Sequence, residues 1–289
     1  MLDSELILLT GAAGKTGQQV LRALVTRKVQ VRAFVRREEQ ISSMQSLGAE
    51  DVIIGDLYDA QSLKQALQGC TQIVHICPPM DPKEIEIAQT MVELSASENV
   101  RRFILYSVLH PLLEDVPHHY RKLQAERALV NSNLNYTILQ PARYMQHLLP
   151  IWQSVVETGI HAMPFSIRSR FCVVDLADVA EAVAVVVTEE GHEHSSYQLA
   201  GPENLNQVNM AKILSGLLDR NIIAQKKSPE DFLEQAAKAG MSEARIENFR
   251  LMNTHYDQHG MTGNPNILSW LLGREPTCFA DFVKRQFLS

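Results

Sequence analysis

Leu6-Ile7-Leu8-Leu9-Thr10-Gly11-Ala12-Ala13-Gly14-Lys15-Thr16-Gly17 runs an apolar strand straight into three glycines spaced G-x-x-G-x-x-G, and a helical pattern, Gln18 to Lys28, follows at once. A strand that turns sharply into a helix brings bare backbone N–H groups to a helix N-terminus, where a phosphate can sit. In that setting Gly11 permits the tight turn, Gly14 lets a pyrophosphate approach the backbone, and Gly17 lets the helix pack close to the strand. Gly14-Lys15-Thr16 also resembles the end of a nucleoside-triphosphate loop, G-x-x-x-x-G-K-[ST]. That loop requires a glycine five residues before Gly14, and position 9 is a leucine inside the strand. Dinucleotide binding is therefore expected, with Ala13, Lys15 and Thr16 completing the loop; the competing reading is a glycine-rich turn that binds nothing.

The 289 residues can bury a large core, and 45% hydrophobic with 21% charged residues is the balance of an ordinary globular protein. A formal charge of −6 argues against a nucleic-acid partner, which needs a basic face to meet phosphates. No apolar run approaches the roughly 18 residues needed to cross a bilayer. Asp3 and Glu5 precede the first strand where a secretory leader would be basic, so a cytoplasmic location is expected. Cys70, Cys77, Cys172 and Cys278 are widely separated and read as reduced thiols. His192-Glu193-His194 falls in a polar turn with no further ligand near it, and no metal site is expected there.

Outward from the glycine loop, strand and helix patterns alternate. Strands are expected at 29–35, 51–54, 72–76, 102–107 and 136–140, and helices at 38–47, 60–68, 82–98 and 120–131. Continuous apolar strands in regular alternation with helices predict an α/β protein, a Rossmann-like doubly wound parallel sheet covered on both faces. After Pro141 the alternation weakens. A helix is expected over 144–158, a strand at 171–174, a helix at 175–188 and a further strand at 196–200, with a mostly helical remainder. The expected division is a nucleotide-binding core of 1–141 plus about 171–201, and a smaller, mostly helical substrate lobe of about 142–170 plus 202–289.

The end of the second strand decides which nucleotide fits. An acidic residue there accepts from the ribose hydroxyls of NAD, whereas arginine pairs with the 2′-phosphate of NADP. The chain reads Ala33-Phe34-Val35-Arg36-Arg37, with no acid before Glu38. A guanidinium meets phosphate as a bidentate fork, so NADP(H) is expected over NAD(H), with Arg36 ahead of Arg37 because it comes first after the strand. The competing reading is a pair of solvated arginines at the sheet edge. Asp56 and Leu57, after the third strand, lie where the adenine is expected, although Asp56 could equally cap the next helix. Cys77 and Pro78, after the fourth strand, are expected along the cofactor.

Taken together, these residues resemble the short-chain dehydrogenase/reductase superfamily, and most of all its atypical NmrA-like branch. That branch contains quinone, dye and isoflavone-type reductases as well as redox-sensing regulators. Thr10 to Gly17 matches its T-G-x-x-G-x-x-G, Arg36 its arginine after the second strand, and Gly55-Asp56-Leu57 its adenine-side turn. Arg102 to Ser107, Asn135 to Pro141, Asp175 to Ala180, Tyr197 to Glu203 and Thr262-Gly263-Asn264 continue the likeness over nearly the whole chain.

The resemblance implies an NADP(H)-binding reductase of a small quinone-like electrophile; the alternative it carries is a non-catalytic NADP(H) sensor that regulates a partner protein. One departure bears on that choice. The main superfamily uses Y-x-x-x-K, whose tyrosine protonates the carbonyl, but here Gln124 stands four residues after Tyr120. Lys122 falls where isoflavone-type reductases carry their lysine, which implies a ribose ligand and an electrostatic aid to a developing oxyanion. By the same resemblance Ser107 would lie near the reacting carbonyl, and Pro141, Arg143 and Tyr144 would border the nicotinamide. His118 and His119, just before Lys122, are further candidate proton sources. A small-molecule substrate is expected; a homodimer and a regulatory partner remain open.

Overall fold

Leu6–Leu9 forms the first strand because each of its apolar side chains has a face of the sheet to fill. Leu8 joins a cluster with Phe34, Leu63, Ile73, Met91, Phe103 and Ile138, while Ile7 and Leu9 alternate to the opposite face. The computed structural model describes residues 5–288. In chain order the elements are β1 (Leu6–Leu9), α1 (Lys15–Thr26), β2 (Gln30–Val35), α2 (Ile41–Ser46), β3 (Asp51–Ile54), α3 (Ala60–Leu67), β4 (Gln72–His75), α4 (Glu84–Ser97), β5 (Arg102–Tyr106), α5 (Pro117–Val130) and β6 (Tyr136–Pro141). They continue with β7 (Arg143–Tyr144), α6 (Trp152–Thr158), β8 (Ile160–Met163), β9 (Phe171–Val174), α7 (Leu176–Thr188), β10 (Ser195–Leu199), β11 (Glu203–Leu205), α8 (Gln207–Leu218), β12 (Ile223–Lys226), α9 (Pro229–Lys238), α10 (Glu243–His259), α11 (Asn266–Leu272) and α12 (Phe279–Val283).

The chain divides into two units. The first comprises the residues up to Pro111, Arg121–Pro141 and Ala177–Tyr197. Its sheet has the order β10-β6-β5-β4-β1-β2-β3, and the pairs β1–β2, β1–β4, β2–β3, β4–β5 and β5–β6 are all parallel. The chain winds outward from β1 to β3, then returns to place β4 on the other side of β1. Strand order reverses there, so the carboxyl ends of β1 and β4 flank the crevice where such sheets take ligands.

The second unit comprises Leu112–Tyr120, Ala142–Leu176 and Gln198 onward. It is rich in helices but also holds two small sheets, β11-β9-β7 and β12-β8. The strand at Phe171–Val174 was expected with the nucleotide-binding core. It belongs instead to the second unit, because β9 pairs with β7 in parallel and with β11 in antiparallel. The single helix expected over 144–158 is broken: Met145–Ile151 is a 3-10 segment containing Pro150, and α6 starts at Trp152. Proline lacks the N–H that an α-helical turn needs there. Among the described residues, no helix is long and apolar enough to cross a membrane.

Candidate active site

The glycine loop shows what each glycine does. Gly11 takes a left-handed conformation (φ +63°), and a Cβ there would lie 2.6 Å from the Ile76 carbonyl oxygen. A Cβ on Gly17 would lie 2.2 Å from the Gly11 carbonyl oxygen and 2.6 Å from Ala12 Cα, so close packing of α1 on the loop forbids any side chain. Gly14 differs: a Cβ would meet only the Gly11 carbonyl oxygen, at 3.3 Å. That contact is tight, and beyond it the surface over Gly14 is open, which a phosphate approaching the loop would need. Gly14 is also the N-cap of α1, with no side-chain cap and no acid in the first turn, so the first N–H groups stay open to an anion. Lys15 is exposed beside it.

Thr10 closes the loop from behind. Its buried Oγ1 accepts from the Ile76 N–H at 2.9 Å and lies 3.0 Å from His75 Nδ1, tying the end of β1 to the end of β4. His75 is fully enclosed, and burial, helped by the Lys122 charge, lowers its pKa to about 3, so the ring is neutral. Its Nε2 has no hydrogen-bond partner among the described residues.

At the adenine end the two arginines separate. Arg37 is held by Glu39 at 2.6 Å, whereas the Arg36 guanidinium is 75% exposed and only loosely placed, 3.9 Å from Asp56. Asp56 does not cap the next helix; Asp59 does, accepting from the Gln61 N–H, while Asp56 accepts from the Tyr58 N–H. Leu57 is half-buried against the core. Cys77 is buried, which pushes its thiol well above the usual range and keeps it neutral; Pro78 beside it is exposed. A strap that the motifs did not reveal joins these two loops. Tyr58 Oη donates to the Asp81 carboxylate (2.9 and 3.0 Å), and the Lys83 ammonium sits 4.8 Å from the centre of the Tyr58 ring.

Lys122, on α5, is buried and anchored from two sides. Nζ lies 2.6 Å from Glu84 Oε1 at the start of α4, and donates to the carbonyl of Tyr106, the last residue of β5, at 2.8 Å. The contact with Glu84 is an ion pair without hydrogen-bond geometry, and the hydrogen bond of the ammonium runs to the Tyr106 carbonyl. Glu84 escaped sequence reasoning because no motif links it to Lys122.

Ser107 follows β5 with its hydroxyl engaged inside the protein. Its hydroxyl donates to Glu126, whose carboxylate also accepts from Gln140 Nε2 at 3.0 and 3.1 Å. That buried triangle ties the ends of β5 and β6 to α5 and leaves Ser107 no proton to give a substrate. Burial raises the Glu126 pKa. Pro141 ends β6, its carbonyl accepting from the Leu109 N–H at 2.9 Å.

Arg143 and Tyr144 belong to the second unit, as does His119, whose Nε2 is 2.9 Å from Tyr256 Oη in the protein interior. His119 thus serves packing there, and its place as a proton source is not supported by this contact.

Residues 11–190 match the family model described as NAD(P)H-binding. The chain is 24% identical over 280 residues to the NAD(P)H azoreductase of Xenophilus azovorans, an alignment that covers 96% of this chain and 97% of that protein. An NADPH-dependent quinone oxidoreductase from Escherichia coli, solved in complex with NADPH, superposes with a TM-score of 0.85 at 23% identity, covering 97% of this chain and 99% of the other. The triphenylmethane reductase of Citrobacter sp., complexed with NADP(H), gives a TM-score of 0.85 at 25% identity over 96% and 99%. The loop glycines, the sheet order and these likenesses agree, and the chain belongs to the NAD(P)H-binding family.

Proposed function

We propose that this protein is an NADPH-dependent reductase that delivers hydride to a small, flat, quinone-like electrophile. The observation that carries the proposal is the buried Lys122, held by Glu84 and the Tyr106 carbonyl, in a unit that has the dinucleotide loop but no tyrosine–lysine proton donor. The reductase names of the relatives support the class of reaction. The bound nicotinamide supplies the hydride. Lys122 offers an N–H to the nicotinamide ribose and its charge to the oxyanion that develops on the substrate. Arg36 forks onto the 2′-phosphate, which makes NADP(H) the preferred cofactor; Gly11, Ala13, Gly14, Lys15, Thr16 and Gly17 seat the pyrophosphate, with Asp56, Leu57, Cys77 and Pro78 along the adenosine. Ser107 holds Glu126 and the strand ends in place and donates nothing to substrate. A quinone suits such a site because its reduced anion is stabilised by conjugation and needs no strong acid beside it.

Steady-state oxidation of NADPH against a panel of quinones tests this. Turnover with at least one quinone is expected, with Lys122→Met lowering kcat by about 10²-fold. No turnover at saturating NADPH overturns the proposal. Different affinities for NADP+ and NADPH in that case would favour the sensor instead.

A further inference from the structure

Glu84 is a buried carboxylate to which the proposed reaction gives no task. It is the first residue of α4 and only 1% exposed, and neither carboxylate oxygen has a hydrogen-bond partner among the described residues. The group that faces it is the Lys122 ammonium, 2.6 Å from Oε1 and on a residue itself 5% exposed. A buried ion pair without further hydrogen bonds to its carboxylate returns little net stability, because desolvation of both charges offsets their attraction. The helix start favours an acid in its first turn, but Glu86 meets the same dipole from an exposed position. Neither stability nor the helix end accounts for burying Glu84.

The loop before α4 fixes Glu84 in turn. Pro78, Pro79 and Pro82 stiffen the path from β4, and the Glu84 N–H donates to the Asp81 carbonyl at 3.3 Å. The Asp81 carboxylate accepts from the Lys83 N–H at 2.9 Å and from Tyr58 Oη at 3.0 Å, which ties that turn to the loop after β3. Other groups near Lys122 do not share the task. Burial keeps His75 and Cys77 neutral, although both feel the Lys122 charge. The Glu126 carboxylate feels it too, but is taken by Ser107 and Gln140. Lys122 carries its charge on a flexible four-carbon stem, so a single anchor would leave the ammonium several positions to occupy. The Tyr106 carbonyl at 2.8 Å is one anchor and Glu84 the other.

We infer that Glu84 is a positioning residue for the reduction: it holds the Lys122 ammonium beside the end of β5 and acts on the cofactor only through that lysine. The inference rests on the role proposed above for Lys122. It adds that the position of the ammonium is set by a carboxylate on a different helix, and that the rigid turn through Asp81 sets the carboxylate.

A double-mutant cycle on the whole protein tests it, read as NADPH affinity by fluorescence titration and as kcat with a quinone. Glu84→Gln keeps the shape and removes the charge. It should weaken NADPH binding about threefold and lower kcat about tenfold, yet change neither by more than about twofold in a Lys122→Met background. Glu86→Gln, in the same helical turn, should leave both unchanged. Where Glu84→Gln does not fold, Glu84→Asp takes its place in the cycle, with smaller losses and the same dependence on Lys122. Losses that multiply in the double variant, or a folded Glu84→Gln with parental affinity and kcat, overturn the inference and leave the role of Lys122 standing. Lys122→Met with parental affinity and kcat overturns both. If no quinone turns over, the reductase reading falls and the affinity cycle alone decides on Glu84.

Discussion

Lys122 is a buried cation and Arg143 a part-buried one, and the two units handle them in opposite ways. In the first unit Lys122 has a carboxylate at 2.6 Å and a strand-end carbonyl at 2.8 Å, so its charge is balanced from within. In the second, Arg143 has aromatic faces and a thioether but no carboxylate among the described residues. A lysine balanced from within can be held rigidly, which suits a fixed position in a cofactor site. An arginine packed on aromatic faces, with part of its surface still open to water, needs no internal carboxylate.

Breaking the internal pair should have the largest effect. Glu84→Ala leaves the Lys122 charge buried and alone, and a loss of about 3–5 kcal/mol in unfolding free energy is expected from urea denaturation. Adding Lys122→Met should restore much of it, whereas Arg143→Leu alone should lie within about 1 kcal/mol of the parent, because it removes a charge that already lacks a partner. A large loss for Arg143→Leu would show that the guanidinium has an internal partner after all, and the contrast would collapse.

Acid probes both regions through His75 and His161, held neutral at about 3 and about 4. Unfolded histidines titrate near pH 6.5, so between those limits the unfolded chain binds more protons than the folded one. Each contribution is fully present above about pH 6.5 and is lost as pH falls toward the folded value, at roughly 1.4 kcal/mol per unit for each ring. At about pH 5 the loss is on the order of 2 kcal/mol per histidine. His75→Asn should show a visibly shallower fall in urea midpoint between about pH 7 and about pH 5. A slope equal to that of the parent would remove His75 from the account.

The smallest effect belongs to Arg36, which is exposed and therefore worth less per contact than the buried Lys122. Arg36→Gln should weaken NADPH binding about tenfold, near 1.4 kcal/mol, and leave NADH binding unchanged. Equal losses for both cofactors would transfer the 2′-phosphate role to another residue.

Much of the first unit was legible before any coordinates. Leu6–Leu9, the three glycines and α1 are contiguous in sequence, and a βα turn is built from contiguous residues, so its spacing carries its geometry. Gly17 is the plainest case, because close packing of α1 on the loop leaves no room for a Cβ. The apolar runs of β4, β5 and β6 were legible too, since strands buried on both faces have no polar alternation to blur them. The small sheets of the second unit were not. β12 is mostly exposed and β7 has only two residues, so neither leaves a periodic signature. Ser107 was legible as a strand-end serine, but its capture by Glu126 was not, because that carboxylate arrives from the next helix.

The sequence by itself determined a dinucleotide loop at a strand-to-helix turn, an arginine after the second strand, and the lack of Y-x-x-x-K. All three are set by neighbours along the chain. Only the tertiary structure decided that Glu84 answers Lys122 while, among the described residues, no carboxylate answers Arg143. Charge balance inside a protein is settled between groups that meet through space, and the order of residues does not record which of them meet.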